Sequence, residues 1–147
     1  MAISIKILQS GDEPVLMSVA PAVFDNPVDP DLTREFLADP RHHIAVAIDD
    51  GLVVGFASAV HYIHPDKAPE LWINEVGVAP SHHRRGLGRQ VVDALLDVGR
   101  ANRCSSAWVL TDRTNTAALA LYRSAGGVEG EGGLSAQMVG FDFTLAE

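Results

Sequence analysis

A chain of 147 residues, 47% hydrophobic and 20% charged, has room for one packed domain, and its composition excludes a disordered or fibrous protein. A formal net charge of -8 argues against nucleic acid as a partner, and no apolar run approaches the roughly 20 residues of a membrane helix. The start, MAISIKILQSGDEP, lacks the apolar core of a signal peptide, so the reading is cytoplasmic with no membrane partner.

ISIKIL (3–8) alternates and β-branches as a strand does. Asp12 with Pro14 then reads as a cap and first-turn proline for a helix reaching about Ala22. After the turn-rich PAVFDNPVD, the device repeats: Asp29 caps, Pro30 opens and Pro40 closes a second helix. HIAVAI and LVVGFASAVHY form a hairpin about Asp50-Gly51, HPDKAP (64–69) interrupts, and ELWINEVGV (70–78) is another strand. LGRQVVDALLDVGRANR carries Leu87, Val91, Leu95 and Val98 on one stripe and is an amphipathic helix. SAWVLT (106–111) is a short buried strand, and TNTAALALYRSAGG is a helix stopped by Gly126 and Gly127. GVEGEGG reads as a flexible turn before a last strand, AQMVGFDFTL. The order implies an α+β sandwich over residues 1–147: one mixed, mainly antiparallel sheet of about six or seven strands with helices on both faces.

Charge is unevenly divided: residues 1–80 hold 12 Asp/Glu against 4 Lys/Arg, and residues 81–147 hold 7 against 7. A ligand bridging the two parts would meet acid at one end and base at the other. Cys104, the single cysteine, excludes an internal disulfide and reads as packing. His42, His43, His61 and His64 lack metal-like spacing and read as surface histidines, so no metal is expected.

The basic part concentrates in VAPSHHRRGLGRQVV (78–92), between a strand and a helix. Gly86 and Gly88 permit a tight turn, the helix start offers unpaired amides and a positive dipole end, and Arg84, Arg85 and Arg89 add full charges. That is an anion site, or else a solvated basic turn that only caps the helix. It is neither a P-loop nor a dinucleotide fingerprint, since no Gly-Lys-Ser/Thr follows and Val91 stands where the third glycine would be.

INEVGVAPSHHRRGLGRQVVDALL with NTAALALYRSAGG resembles the acetyl-CoA-binding core of the Gcn5-related N-acetyltransferases (GNAT), over about residues 70–127. The family's loop motif is Gln/Arg-x-x-Gly-x-Gly/Ala. The layout from VFDNP through HPDKAPELWINEV is similar to the aminoglycoside 3-N-acetyltransferase type. The resemblance implies acetyl-CoA as cosubstrate, with Arg84, Arg85, Gly86, Leu87, Gly88 and Arg89 around its pyrophosphate. It places Val76 and Val78 along the pantetheine arm, lying where two strands splay, and Asn115 against the coenzyme from the next helix. His83 stands at the Gln/Arg position, a departure expected at worst to weaken coenzyme binding or make it pH-dependent, since the resemblance implies binding mostly through backbone amides.

Acetyl transfer needs a neutral amine, a polarised carbonyl and a proton for the thiolate. Glu75, inside an apolar strand, is the candidate base; the other reading points it to solvent on the polar face. The resemblance makes Tyr122 the acid, against the alternative of a tyrosine closing the core. The Val76 amide is the candidate oxyanion donor, aided by a strand distortion near Gly77. Asp112 faces the acceptor or forms a turn, and Trp72 and Trp108 are core or substrate platforms. The expected acceptor is the primary amine of a small cation, aminoglycoside-like or polyamine-like; a peptide amino terminus and a non-catalytic acyl-CoA-binding module are the alternatives. An exposed edge at residues 136–145 implies a homodimer, as does the resemblance.

Overall fold

The computed structural model describes residues 2–130 and 138–146. Seven strands form one sheet in the order β1-β2-β3-β4-β5-β7-β6. They are β1 (Ile3–Ile7), β2 (His42–Asp49), β3 (Leu52–His64), β4 (Lys67–Val78), β5 (Ser106–Asp112), β6 (Val128–Glu129) and β7 (Met138–Thr144). The helices are α1 (Pro30–Ala38), α2 (Leu87–Ala101) and α3 (Thr116–Ser124). All strand pairs are antiparallel except β4 with β5.

Local signals account for most of this order. Asp50 and Gly51 both take positive φ (51° and 77°), the pair of conformations that closes a two-residue hairpin between β2 and β3. The Asp29 carboxylate accepts from the Leu32 N–H at 2.9 Å, capping α1, and Pro30 follows at its first position. Gly126 (φ 96°) ends α3, and the Gly127 N–H returns to the Tyr122 carbonyl at 2.8 Å.

Four expectations are corrected. The first helix shrinks to a 3-10 turn, Glu13–Met17, because the Asp12 carboxylate turns back to the Gln9 N–H (2.8 Å) and Lys6 (3.1 Å). Residues 18–20 instead run beside β3, with the Val53 N–H donating to Ser18 O and the Ala20 N–H to Val53 O, both at 2.9 Å. HPDKAP does not interrupt the sheet: β3 and β4 reach His64 and Lys67 and turn tightly at Pro65-Asp66. Within GVEGEGG, Val128 and Glu129 form β6 against Asp142 and Phe141; the rest of that stretch from Glu131 lies outside the described residues. At those positions β7 is interior, between β5 and β6, and not the free edge expected at 136–145, of which 136–137 lie outside the described residues.

Strand alternation sorts the site residues by face. Ile44, Ser58 and Glu75 are register partners on one face, and Ala45, Ala57 and Val76 on the other. α1 covers the first face, with Phe36 against His42 (ring centroids 5.1 Å). α2 covers the second, where added Cβ atoms at Gly99 and Gly88 would meet Leu71 at 3.2 Å and Val78 at 3.9 Å. α3 joins α2 there, with Tyr122 against Phe141. The apolar core fills both interfaces, dominated by fully buried Val46, Val91, Leu95, Leu71, Ile73 and Phe141.

Candidate active site

β4 and β5 are paired only over Glu70–Ile73 and Ser106–Val109, and beyond Ile73 they part. A bulge lies at the same level, where the β3–β4 register shifts between Ser58 and Ala59 and so accommodates Asn74 and Glu75. The strand distortion therefore sits at residues 74–75, not near Gly77. Ala79 N–H donates to Val54 O at 2.8 Å, so in the continuous register below it Gly77 and Glu75 direct their backbone groups to β3. Val76 and Val78, one step out of phase, direct theirs into the gap.

The gap is the wall of a cleft of about 950 Å³ that runs to the N-terminal ends of α2 and α3. Gly86, the residue before α2, is left-handed (φ 75°) and offers no side-chain cap, so the first-turn amides of α2 have no partner within the helix. A Cβ at Gly86 would meet nothing within 4 Å; glycine is favoured there by the backbone angle and not by crowding. Two histidines anchor the loop. His83 Nε2–H donates to Val78 O at 2.9 Å, and His82 Nε2 bonds Asp49 Oδ2 at 2.7 Å. That bond, and more weakly the charge of Arg85, hold the Asp49 carboxyl below its ordinary value.

Glu75 lines this cleft and also a second cavity, of about 310 Å³, on the α1 face of the sheet. The second cavity is roofed by residues 24–29, whose Phe24 ring stacks on Phe56 of β3 with centroids 4.1 Å apart. Glu75 stays exposed, and partial desolvation, then the neighbouring Asp25 carboxylate in that roof, raise its carboxyl above the ordinary value. Tyr122 lines the cleft from α3 while only 5% exposed. It therefore closes the core and faces the site at once, and burial pushes its phenol up, keeping it protonated at neutral pH.

Val76, Val78, His83, Arg84, Leu87, Gly88, Arg89 and Asn115 also line the cleft. Asn115 caps α3 through Oδ1 to the Ala118 N–H at 3.1 Å. Arg89 pairs with Asp93 one turn on, at 3.0 Å. Four expected site residues are not in the lining of the cleft or of the second cavity. Gly77 faces the roof, and Arg85 lies towards Asp49. Asp112 accepts from the Thr114 N–H (2.8 Å) and hydroxyl (2.6 Å), which makes it a turn former. Trp72 stacks on Trp108 with centroids 5.1 Å apart and is 38% exposed on the open face of the sheet. His43 and His61 bond each other at 2.8 Å across β2 and β3, half-buried and not at the surface as expected. Among the described residues no cluster of three His, Cys, Asp or Glu could hold a metal ion.

Residues 14–126 match the model of the acetyltransferase (GNAT) family. The chain belongs to that family. It is 34% identical over 104 residues to the N-alpha-acetyltransferase RimI of Mycobacterium tuberculosis, a match covering 71% of this chain and 63% of the relative. It is 34% identical over 89 residues to a streptothricin acetyltransferase of Streptomyces lavendulae, covering 60% of this chain and 45% of that one. The matches thus span about half to two thirds of these relatives' lengths. Among solved structures, an aminoglycoside acetyltransferase from an uncultured soil metagenomic sample superposes with TM-score 0.78 at 19% identity, covering 90% of this chain and 93% of the other. yncA of Salmonella typhimurium, solved with its cofactor acetyl-CoA, gives 0.74 at 20% identity, covering 100% and 96%.

Asp25 and the two loop-anchoring contacts were not legible as site features in this GNAT sequence. Asp25 sits in FDNP, a turn signal, 50 residues before Glu75, and only the packing of Phe24 on Phe56 brings it there. The sole hint was the excess of acid in the first 80 residues.

Proposed function

We propose that the chain is an acetyl-CoA-dependent N-acetyltransferase acting on the primary amine of a small cationic acceptor. One observation carries the reading: among the described residues, Glu75 alone is common to the linings of the coenzyme cleft and the second cavity. An amine in the cavity and a thioester in the cleft would meet at that carboxylate.

The cleft suits the cosubstrate. Arg84, Arg89 and the first-turn amides of α2 would take the phosphates, and the gap-facing groups of Val76 with the N–H of Val78, whose carbonyl is held by His83, the pantetheine. Glu75 takes one proton from the ammonium, directly or through a water, leaving a nucleophilic lone pair. The nitrogen forms its bond to the acetyl carbon while the Val76 N–H holds the developing oxyanion. The C–S bond then breaks, Tyr122 gives its proton to the thiolate, and the second nitrogen proton restores the phenol. Net, one acetamide, one thiol and one proton leave. Both catalytic side chains line the cleft, which disfavours a purely regulatory acyl-CoA module. The identity to RimI supports a peptide amino terminus as the second reading of the acceptor.

A thermal-shift titration tests the cosubstrate. Acetyl-CoA and CoA should both raise Tm, and acetyl-pantetheine, which lacks the phosphates, should raise it far less. Equal shifts from all three would sink the phosphate-loop assignment. A pH profile tests the carboxyl pair. Glu75 acts as base only when ionised, so the acid limb of kcat/KM should fall above the ordinary glutamate value. Asp25→Asn removes the neighbouring charge and should move that limb to lower pH. An unmoved limb would mean that Asp25 does not act on the base.

A further inference from the structure

The roofed cavity on the α1 face says more about the acceptor, given the acetyltransferase reading above. We infer that the acceptor amine is borne on a compact apolar stem, an aralkylamine or branched alkylamine, bound between α1 and the β2–β3–β4 face with its nitrogen at Glu75.

The cavity is polarised along the sheet. Glu75, Ser58 and Ile44 are register partners on β4, β3 and β2, so Ile44 lies roughly 10 Å from Glu75 at about 4.8 Å per strand. The β4 end carries Glu75 with Asp25 in the roof above it. The large apolar walls are Phe24, Phe56, Phe36 and Ile44, with Asn26, Asp29, Thr33 and Ser58 also in the lining. Two of the remaining polar groups are already committed: the Asp29 carboxylate caps α1, and the Thr33 hydroxyl donates to Asp29 O at 2.7 Å. Leu32, 65% exposed, sits at the rim, where an apolar guest would cover it.

An alkyl or aryl stem would lie on these walls without losing a hydrogen bond. A polyhydroxylated sugar would bury hydroxyls against phenylalanine and isoleucine, and the second ammonium of a polyamine would find there only the Asp29 carboxylate, whose Oδ1 already caps α1. At about 310 Å³ the space is at the small end for a ligand site and holds one ring or a short branched chain. Asp25 and Glu75 supply the charge that draws the cation in.

The test is amine-dependent thiol release by the full chain at saturating acetyl-CoA. Unbranched primary alkylamines should show kcat/KM rising roughly three- to fourfold per added methylene until the cavity is full. 2-Phenylethylamine and isopentylamine should exceed spermidine, a 2-deoxystreptamine aminoglycoside and a peptide with a free amino terminus by about tenfold or more, as expected for a few buried methylenes. Val28→Trp, which fills the cavity from its half-buried roof, should move the optimum to shorter amines and leave the acetyl-CoA-induced rise in Tm unchanged. A flat series, preference for a polar acceptor, or equal loss across all amines in Val28→Trp overturns the apolar-stem inference and leaves the acetyltransferase reading standing. No amine-dependent release across the panel overturns both.

Discussion

Glu75→Gln is expected to lower kcat/KM by roughly 10²–10⁴, the range for loss of a general base. The substitution keeps the side-chain shape at the junction of the two cavities and removes only the proton acceptor. Acetyl-CoA affinity should stay close to that of the parent, because the proposed coenzyme contacts are the gap-facing backbone of Val76 and Val78 and the loop. Activity should recover partly at high pH, as the acceptor loses its proton unaided. Tyr122→Phe separates the two roles. It removes a proton donor to a thiolate that already leaves tolerably near neutral pH, so the loss should be smaller and alkali should not rescue it. Identical pH profiles for the two variants would refute the assignment, and full activity in Glu75→Gln near pH 7 would move the base to Asp25.

The second large effect is expected at Gly77. An added Cβ would lie 2.6 Å from the Val23 carbonyl oxygen and 2.9 Å from the Phe56 ring. Neither is the end of a flexible chain, so Gly77→Ala must lift the roof off β4. Overpacking of that kind costs roughly 1–3 kcal/mol. Phe24 would lose its stack on Phe56, and Asp25 its place beside Glu75. The acceptor KM should therefore rise while the Kd for acetyl-CoA holds, because the roof lies on the face opposite α2. A Tm within about 1 °C of the parent, with unchanged KM, would show that the close approach at Gly77 does not hold the roof.

Gly77 also marks what a sequence cannot display. In ELWINEVGV it reads as a small residue within a strand, and its neighbour in the fold is a carbonyl 54 residues earlier. The bulge at Asn74 and Glu75 is equally silent. It arises where β4 keeps β3 but gives up β5, and no residue type at those positions announces it.

The sequence by itself determined whatever depends on short-range chemistry. The Asp29 cap, the Asp50-Gly51 hairpin, the apolar stripe of α2 and the Gly126 stop are each fixed within a few residues, where backbone angles and period decide. The glycine-arginine turn belongs with them, because the left-handed Gly86 and the uncapped first-turn amides of α2 are consecutive in the chain. Long-range packing decided the rest. Asp12 was free to cap a helix until Lys6 and the Gln9 amide claimed its carboxylate, and residues 18–20 then found a better partner in Val53. Tertiary structure alone set which face Glu75 takes, brought Asp25 to it, and left Asp112 in a turn and Trp72 outside both cavities. The reason is physical: a strand residue's side depends on register with its neighbours, and a bulge of one residue reverses it.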